Sequence, residues 1–555
     1  MQYMEREQWL FNSDCVSSNL EKALKVVRAY IYSNFSNREI EDIEYNISRI
    51  CGVSLKNERE DSADAVSYIH TQDVLSKINE KESIRKKKGV YYTPNDVVHF
   101  IVINTVKESL GYLSSENFAD DILHIKKNRE VLSKTVFDPT CGAGEFLLEA
   151  ANFKIEILKH LSGHITKESI NSLVSSIYGN DINFDSIVLS KLRIYLAFLD
   201  QFGTELCSDL PQILNKNFTA YDFILESGRI AQRFDIIIGN PPYVEDNKSG
   251  LPLQERYGNI YANVLCNSER LLKQTGCIGF VIPLSYISTS RMKVLRDKML
   301  QTVKKQYILS YADRPDCLFD SVHQKLCIVI GCKKAKENQI YTSNYRYWYS
   351  SERRELFKTT KVIRNPYQND DGIPKFGTEM EKDIYDKIMD KSRLVSIYNI
   401  SRNGDEAVYL NRRETFWMKA YRTTILDPEY KVFRFKNKTQ ADLCYCIINS
   451  SLFWWYWTCT SDCWHVSKTL NGFLMPRNIS GVKSTALANS LQARLEETKK
   501  YVGTKQTEYE YKHKECLKEI ERIDDYINAL YELSKEESAF IKKYALRYRI
   551  GDVTK

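Results

Sequence analysis

The sequence predicts an α/β protein built on a doubly wound sheet, with a helical region before it and a mixed α/β module with a helical tail after it. Three observations point there. β-rich runs alternate with helical ones over residues 86–340, and a Gly-x-Gly turn follows the first of those strands. Beyond about residue 340 the pattern turns basic, aromatic and irregular. At 555 residues the chain also exceeds one ordinary domain.

Residues 1–85 read as helical, with "NLEKALKVVRAYIYSNF" amphipathic. They hold no catalytic signature, and no paired acid with Glu-x-Lys that would mark a nuclease. The basic run Arg85 to Lys88 reads as a solvated linker or a phosphate contact. In residues 86–340, "KTVFDP", "SSIYGND", "FDIIIGN", "GCIGFVIP" and "KLCIVIGC" read as strands. Runs of β-branched residues suit strands buried on both faces. "GEFLLEAANFKIEILKHL" and "DSIVLSKLRIYLAFL" read as helices between them. Residues 341–482 form the next expected module, with Trp454, Trp455, Trp457 and Trp464 as its packed core. Residues 483–555 return to helix. Ile520, Ile523, Ile527 and Leu530 make one apolar stripe, and "SKEE" is a capping box that opens a final helix through Phe540 and Tyr544.

The 79 basic and 72 acidic residues leave a net charge of +7, a mild bias compatible with a polyanion partner. The N-terminus lacks the basic start and apolar core of a signal peptide, and no apolar run is long enough to span a bilayer. The 14 cysteines are scattered and read as buried, reduced thiols. "CTSDCWH" has no second ligand pair at zinc spacing, so no metal is expected. The expected setting is the cytoplasm, without a membrane.

In "VFDPTCGAGEF", Gly142 and Gly144 let the backbone turn sharply and approach a ligand, with Asp138 and Cys141 just ahead. The spacing is not the Gly-x-Gly-x-x-Gly of NAD sites. Asp138 is placed to accept from a positively charged amine. "YGNDIN" ends the next strand with Asp181 and Ile182, and an acid there can take both hydroxyls of a ribose. Asp222 and Phe223 offer a carboxylate for an exocyclic amine and a ring face for a purine. Together these describe an adenosine pocket with an amino-acid end. Upstream, "GVYYTPNDVVHFIV" reads as a helix start after Tyr92: Thr93 as N-cap, Pro94 at the first helical position, Asp96 completing an approximate capping box. The N–H groups of such a start favour a carboxylate by about 0.3–1 kcal/mol.

"IIIGNPPY" carries the chemistry. Asn240 sits where a strand leaves its sheet, and Pro241 and Pro242 stiffen the backbone there. An aromatic amine is a poor nucleophile because its lone pair is conjugated into the ring. The Asn240 side-chain oxygen and the Pro241 carbonyl can hold its two N–H bonds and direct the lone pair at a methyl group. Tyr243 can stack on the ring, a contact worth roughly 1–3 kcal/mol per base.

With "GVYYTP", "DPTCGAGEF" and "NPPY" in that order, the sequence resembles the N6-adenine DNA methyltransferases of the gamma arrangement, solitary or within single-chain type IIG restriction enzymes. The likeness runs over roughly residues 84–550. It implies a Rossmann-like methyltransferase sheet at 86–340, a target-recognition domain at 341–482, and S-adenosylmethionine as methyl donor with S-adenosylhomocysteine as product. By resemblance, Tyr92, Thr93 and the Cys141–Gly142 turn hold the methionine end. Asp181 and Ile182 then take the ribose side, and Asp222 with Phe223 the adenine. Asn240, which also borders the cofactor, and Pro241 position the target amine, with Tyr243 on the base. The implied reaction is an in-line transfer that needs no metal, because a sulfonium is already a good leaving group. The target adenine must leave the duplex stack. Family members often close the other face of the pocket with an aromatic, for which Phe319 and His323 both stand.

The implied partner is double-stranded DNA, bound by a monomer in a bacterial or archaeal nucleoid, with a separate restriction endonuclease or specificity subunit as a possible companion. Arg412, Arg413, Lys419, Arg422, Arg434 and Lys436, interleaved with aromatics, are candidate phosphate or base contacts. The alternatives are methylation of RNA adenine or protein glutamine, or a catalytically silent DNA-binding subunit.

Overall fold

The computed structural model describes residues 17–53, 66–78, 92–116, 118, 122–320, 322–368, 370–396, 403–423, 429–466, 472–476, 481–503 and 509–551. The basic run at 85–88 and the start of "GVYYTP" lie outside them.

Among the described residues nine strands form the central sheet. They are β1 (Val136–Asp138), β2 (Ile177–Asn180), β3 (Phe218–Thr219), β4 (Phe234–Gly239), β5 (Leu272–Pro283), β6 (Lys305–Tyr311), β7 (Leu326–Cys332), β8 (Gln339–Arg346) and β9 (Ile363–Arg364). Their order is β3-β2-β1-β4-β5-β7-β6-β8-β9. The first five run parallel, so Asp138, Asn180 and Gly239 all close their strands at one edge. β7 lies antiparallel between β5 and β6, β8 returns parallel to β6, and β9 closes that side antiparallel. All seven residues of β7 are buried, as expected for a strand covered on both faces. This is a Rossmann-like α/β fold with a mixed sheet. The sequence "YTSNYRYW" was expected outside the sheet because its polar residues mask the strand pattern. It supplies β8 instead, so the sheet continues past residue 340.

Among the described residues three helices form the N-terminal region: α1 (Ser18–Asn34), α2 (Asn37–Cys51) and α3 (Tyr68–Lys77). Each starts behind a serine; Ser17 and Ser67 accept from amides of the first turn, and Ser36 with Glu39 makes a capping box. α4 (Asn95–Ser109) lies against β4, β5 and β7, while α5 (Glu145–Leu161) packs on α6 (Phe184–Leu206). The N-terminal helices dock on α6: the Tyr30 hydroxyl donates to Asp200 at 2.8 Å, and Asn46 Nδ2 donates to the Tyr195 hydroxyl at 3.2 Å.

The C-terminal part pairs β10 (Leu394–Ser396) with the short strand Leu474–Pro476 and holds the three-stranded sheet β12-β11-β13, with β11 (Glu406–Asn411), β12 (Ala420–Tyr421) and β13 (Tyr430–Phe435). Behind it lie α7 (Lys438–Asn449), α8 (Ser451–Thr460), α9 (Val482–Thr498), α10 (Leu517–Leu530) and α11 (Lys535–Lys543). Trp454, Trp455 and Trp457 on α8 are at most 1% exposed. Trp464 departs from expectation. It is 46% exposed, because the chain leaves α8 through Cys463 at φ +58° and turns the next side chain outward, where Lys325 Nζ caps its ring at 3.6 Å. Arg549, from the chain's last turn, is held between Trp417 and Trp454, 4.1 and 4.3 Å from the ring centroids. Among the described residues no helix is long and apolar enough to cross a membrane.

Candidate active site

The carboxyl edge of β1, β2 and β4 gathers the residues singled out from the sequence. The turn after β1 is shaped by two left-handed glycines, Gly142 at φ +53° and Gly144 at φ +86°. They differ in cause. A Cβ at Gly144 would stand 2.1 Å from Ser190 Oγ of α6, so close packing forbids a side chain; a Cβ at Gly142 would meet nothing within 4 Å. Space stands open above Gly142, where a ligand can approach.

Asp181 ties the turn to β2. One carboxylate oxygen accepts from the Gly142 amide at 2.9 Å and the other from the Asn183 amide at 2.8 Å. Ile182 beside it is 69% exposed. Asn180, fully buried, donates to the carbonyls of Pro139 and Tyr221 and accepts from the Thr219 hydroxyl, so one side chain joins the loops after β1 and β3. Sequence reasoning passed over it; the available signal was a second polar residue at a strand end.

Asp222 accepts from the amides of Ile224 and Leu225 and so caps the short helix Phe223–Glu226. The Phe223 ring is buried and tilted against Phe137, 5.9 Å away. Cys141 is buried, its thiol pushed up by desolvation and the charges of Asp138 and Asp181. Asp138 is also buried and accepts from the Thr140 amide at 3.0 Å; burial, with the nearby charge of Asp181, holds its carboxyl well above the ordinary range.

Asp138 also explains a glycine that the sequence reading missed. Gly239, the last residue of β4, has φ +154°, and a Cβ there would lie 2.6 Å from Asp138 Oδ1. Only glycine lets β4 pass this carboxylate before the chain reaches Asn240. A Gly within an otherwise β-branched strand was the signal.

Asn240 Nδ2 donates to Thr93 Oγ1 at 3.0 Å, which orients the amide. The N-cap expectation for Thr93 is corrected by this bond. Pro94 is in extended geometry (ψ 144°) and serves as the cap, and its carbonyl accepts from Val97 and Val98. The helix therefore begins one residue late, and the Thr93 hydroxyl turns to Asn240. Asp96 forms no capping box; it accepts from the Val97 amide and pairs with Arg353 at 2.6 Å. Tyr92 donates to Asn95 Oδ1 at 2.8 Å, and burial raises its hydroxyl to about 12. Pro241 is buried, and the Tyr243 hydroxyl donates to the Val281 carbonyl of β5 at 2.8 Å, which fixes the ring edge-on to Tyr261.

With that geometry in place, comparison with known proteins identifies one domain. Residues 175–317 match the model described as Eco57I restriction-modification methylase. The chain carries a restriction-modification methylase domain. The type II restriction enzyme and methyltransferase RM.Eco57I of Escherichia coli is 23% identical over 49% of this chain and 31% of its own length. Modification methylase CviBIII of Paramecium bursaria Chlorella virus NC1A is 31% identical over 44% of this chain and 50% of its own. This chain therefore spans about a third to a half of those relatives. The type IIL restriction-modification enzyme MmeI, solved in complex with DNA, superposes with a TM-score of 0.52 at 14% identity, covering 90% of this chain and 82% of that one; this likeness bears on the fold.

Beyond the methylase edge, the basic residues singled out fall into two groups. Arg422 is tied to Asp442 at 3.2 Å and Asn489 at 2.7 Å, Lys419 faces buried Glu414 at 3.7 Å, and Arg413 pairs with Glu429 at 3.3 Å. Arg412, Arg434 and Lys436 are exposed. Of the two candidates for the second base-stacking position, Phe319 is buried and His323 is exposed, with Nδ1 3.0 Å from the Asp313 carbonyl.

Proposed function

We propose that this chain transfers a methyl group from S-adenosylmethionine to the N6 amine of an adenine turned out of double-stranded DNA. The observation that carries the reading is Asn240: its amide is oriented by Thr93 at the carboxyl end of β4, beside the open glycine turn. The donor set suits the cofactor. Asp181 has the chemistry for a ribose diol, Asp222 for an exocyclic amine, and exposed Ile182 for the flat face between them. S-adenosylmethionine held there supplies an electrophilic methyl group with a good leaving group behind it.

The residues of this chain do the rest. The Thr93 bond turns the Asn240 nitrogen inward, so that its oxygen serves as acceptor for one N–H of the target amine. The Pro241 carbonyl takes the other on a backbone that its own ring stiffens. Holding both N–H bonds aims the lone pair and stabilises the positive charge that grows on nitrogen as the methyl arrives. Tyr243, anchored through Val281, presents a fixed ring to the base. Arg412, Arg434 and Lys436 provide cations for a phosphate backbone.

The test is incubation of the protein with labelled S-adenosylmethionine and plasmid DNA, RNA or protein, followed by modification-sensitive sequencing of the DNA. N6-methyladenine in one sequence context is expected. Label confined to RNA or protein, or methyl on cytosine, would overturn the assignment.

A further inference from the structure

The N-terminal helices carry no methylase motif, yet one of them reaches the cofactor turn through a buried arginine. Arg193 of α6 is 3% exposed. Its guanidinium donates to the Ala143 carbonyl at 2.9 Å, inside the turn, and to both oxygens of Glu145 at 2.5 and 3.1 Å, at the start of α5. Nε donates to Gln72 Oε1 of α3 at 3.0 Å. Gln72 Nε2 in return donates to the Arg193 backbone carbonyl at 3.0 Å, so the amide grips the arginine at both ends. Gln72 is itself 8% exposed. One turn earlier on α6, Ser190 packs against Gly144 and Cys141. α6 thus touches the turn through two residues, and α3 fixes the more polar of them.

We propose that Gln72 is a positioning residue for S-adenosylmethionine: it locks Arg193, which holds the Ala143 carbonyl and thereby the outward face of the Gly142 turn. The N-terminal helical region is then a working wall of the cofactor site rather than an appendage. This inference rests on reading the turn as the place where the cofactor binds. Arg193 has a partner for each of its directions, so loss of Gln72 frees the guanidinium to rotate away from Ala143. Affinity for the cofactor falls, while the Asn240 side of the site is untouched.

Calorimetric titration of the full chain with S-adenosylhomocysteine tests this. Gln72→Met, close in volume, is expected to raise Kd roughly five-fold, the scale of one lost hydrogen bond. The KM for S-adenosylmethionine rises with it, and kcat at saturating cofactor stays at the wild-type value. Tyr30→Phe removes a bond between the same helical region and α6, remote from the turn, and leaves Kd unchanged. A second measurement needs no variant: by reciprocity, S-adenosylhomocysteine slows amide exchange in α3 of the wild-type chain more than in α1. Wild-type Kd in folded Gln72→Met, an equal loss in Tyr30→Phe, or unchanged α3 exchange would each overturn the coupling. Absence of binding to the wild-type chain would instead remove the cofactor reading on which it stands.

Discussion

The carboxyl edge of β1, β2 and β4 presents acids and amides, the β12-β11-β13 sheet presents basic side chains, and the two regions use their polar residues differently. At the methylase edge, Asp181, Asn180 and Asn240 lock loops to one another at the ends of parallel strands. In the C-terminal sheet, basic side chains of similar sequence context divide between internal ion pairs and open surface. Arg422 and Arg434 both sit among aromatic residues, but the first is tied to buried Asp442 and the second stands exposed. A motif at a strand end reports backbone geometry, which is local. A basic-aromatic pattern reports charge, and whether a charge is already partnered depends on residues far along the chain.

The sharpest way to break this contrast is Asn240→Ala. Methylation is expected to fall by at least about three orders of magnitude, since both orientation and charge stabilisation are lost. Binding of S-adenosylhomocysteine, measured by calorimetry, stays near wild type. Gly239→Ala comes next. Its Cβ would press on Asp138, and its φ disfavours any side chain. The expected cost is roughly 2–3 kcal/mol of stability by denaturant titration, with reduced methylation because Asn240 shifts.

The C-terminal sheet is divided by a paired experiment. Arg422→Ala leaves Asp442 buried without its cation and should cost about 2–4 kcal/mol of stability, while the salt dependence of DNA binding is unchanged. Arg434→Ala with Lys436→Ala should do the reverse. Stability stays within about 0.5 kcal/mol, and the slope of log affinity against log salt flattens by about two if each meets a phosphate. Loss of salt sensitivity in the Arg422 variant would erase the distinction.

The last test concerns a lysine held by neutral oxygens. Lys154 of α5 is buried and donates to the carbonyls of Leu132 and Lys134 and to Ser176, and burial lowers its pKa to about 7. Between about pH 7 and the ordinary lysine value the unfolded chain holds the extra proton, so stability rises with pH across that window and is flat below it. Lys154→Met should abolish this rise, read from urea midpoints at neutral and alkaline pH.

Much of the fold was legible in the chain. The five strand runs named from β-branched content form β1, β2, β4, β5 and β7; the helix expected at 144–161 spans Glu145–Leu161, while the one expected at 185–199 starts at Phe184 and runs on to Leu206. β8 was hidden because its alternation is written in Tyr, Thr, Ser and Asn rather than in apolar residues. At the site, the acids and Asn240 could be named because each lies at or within three residues of a strand end. Arg193 could not, since its partners Gln72, Ala143 and Glu145 are remote in sequence or carry no motif of their own. Trp464 was misjudged because four tryptophans in one short stretch share a composition, while a single left-handed residue decides which of them points outward.

The way β8 and β9 extend the sheet bears on where this chain can be spliced. A chimera joined at residue 340 would strip two strands and leave β6 with a bare hydrogen-bonding edge. A splice beyond Phe376 preserves them, but it severs Lys375, whose ammonium is buried between Ser288 on one side of the splice and the Ser461 carbonyl on the other. Donor segments must bring a matching acceptor, or the lysine must be traded for an apolar residue in the recipient.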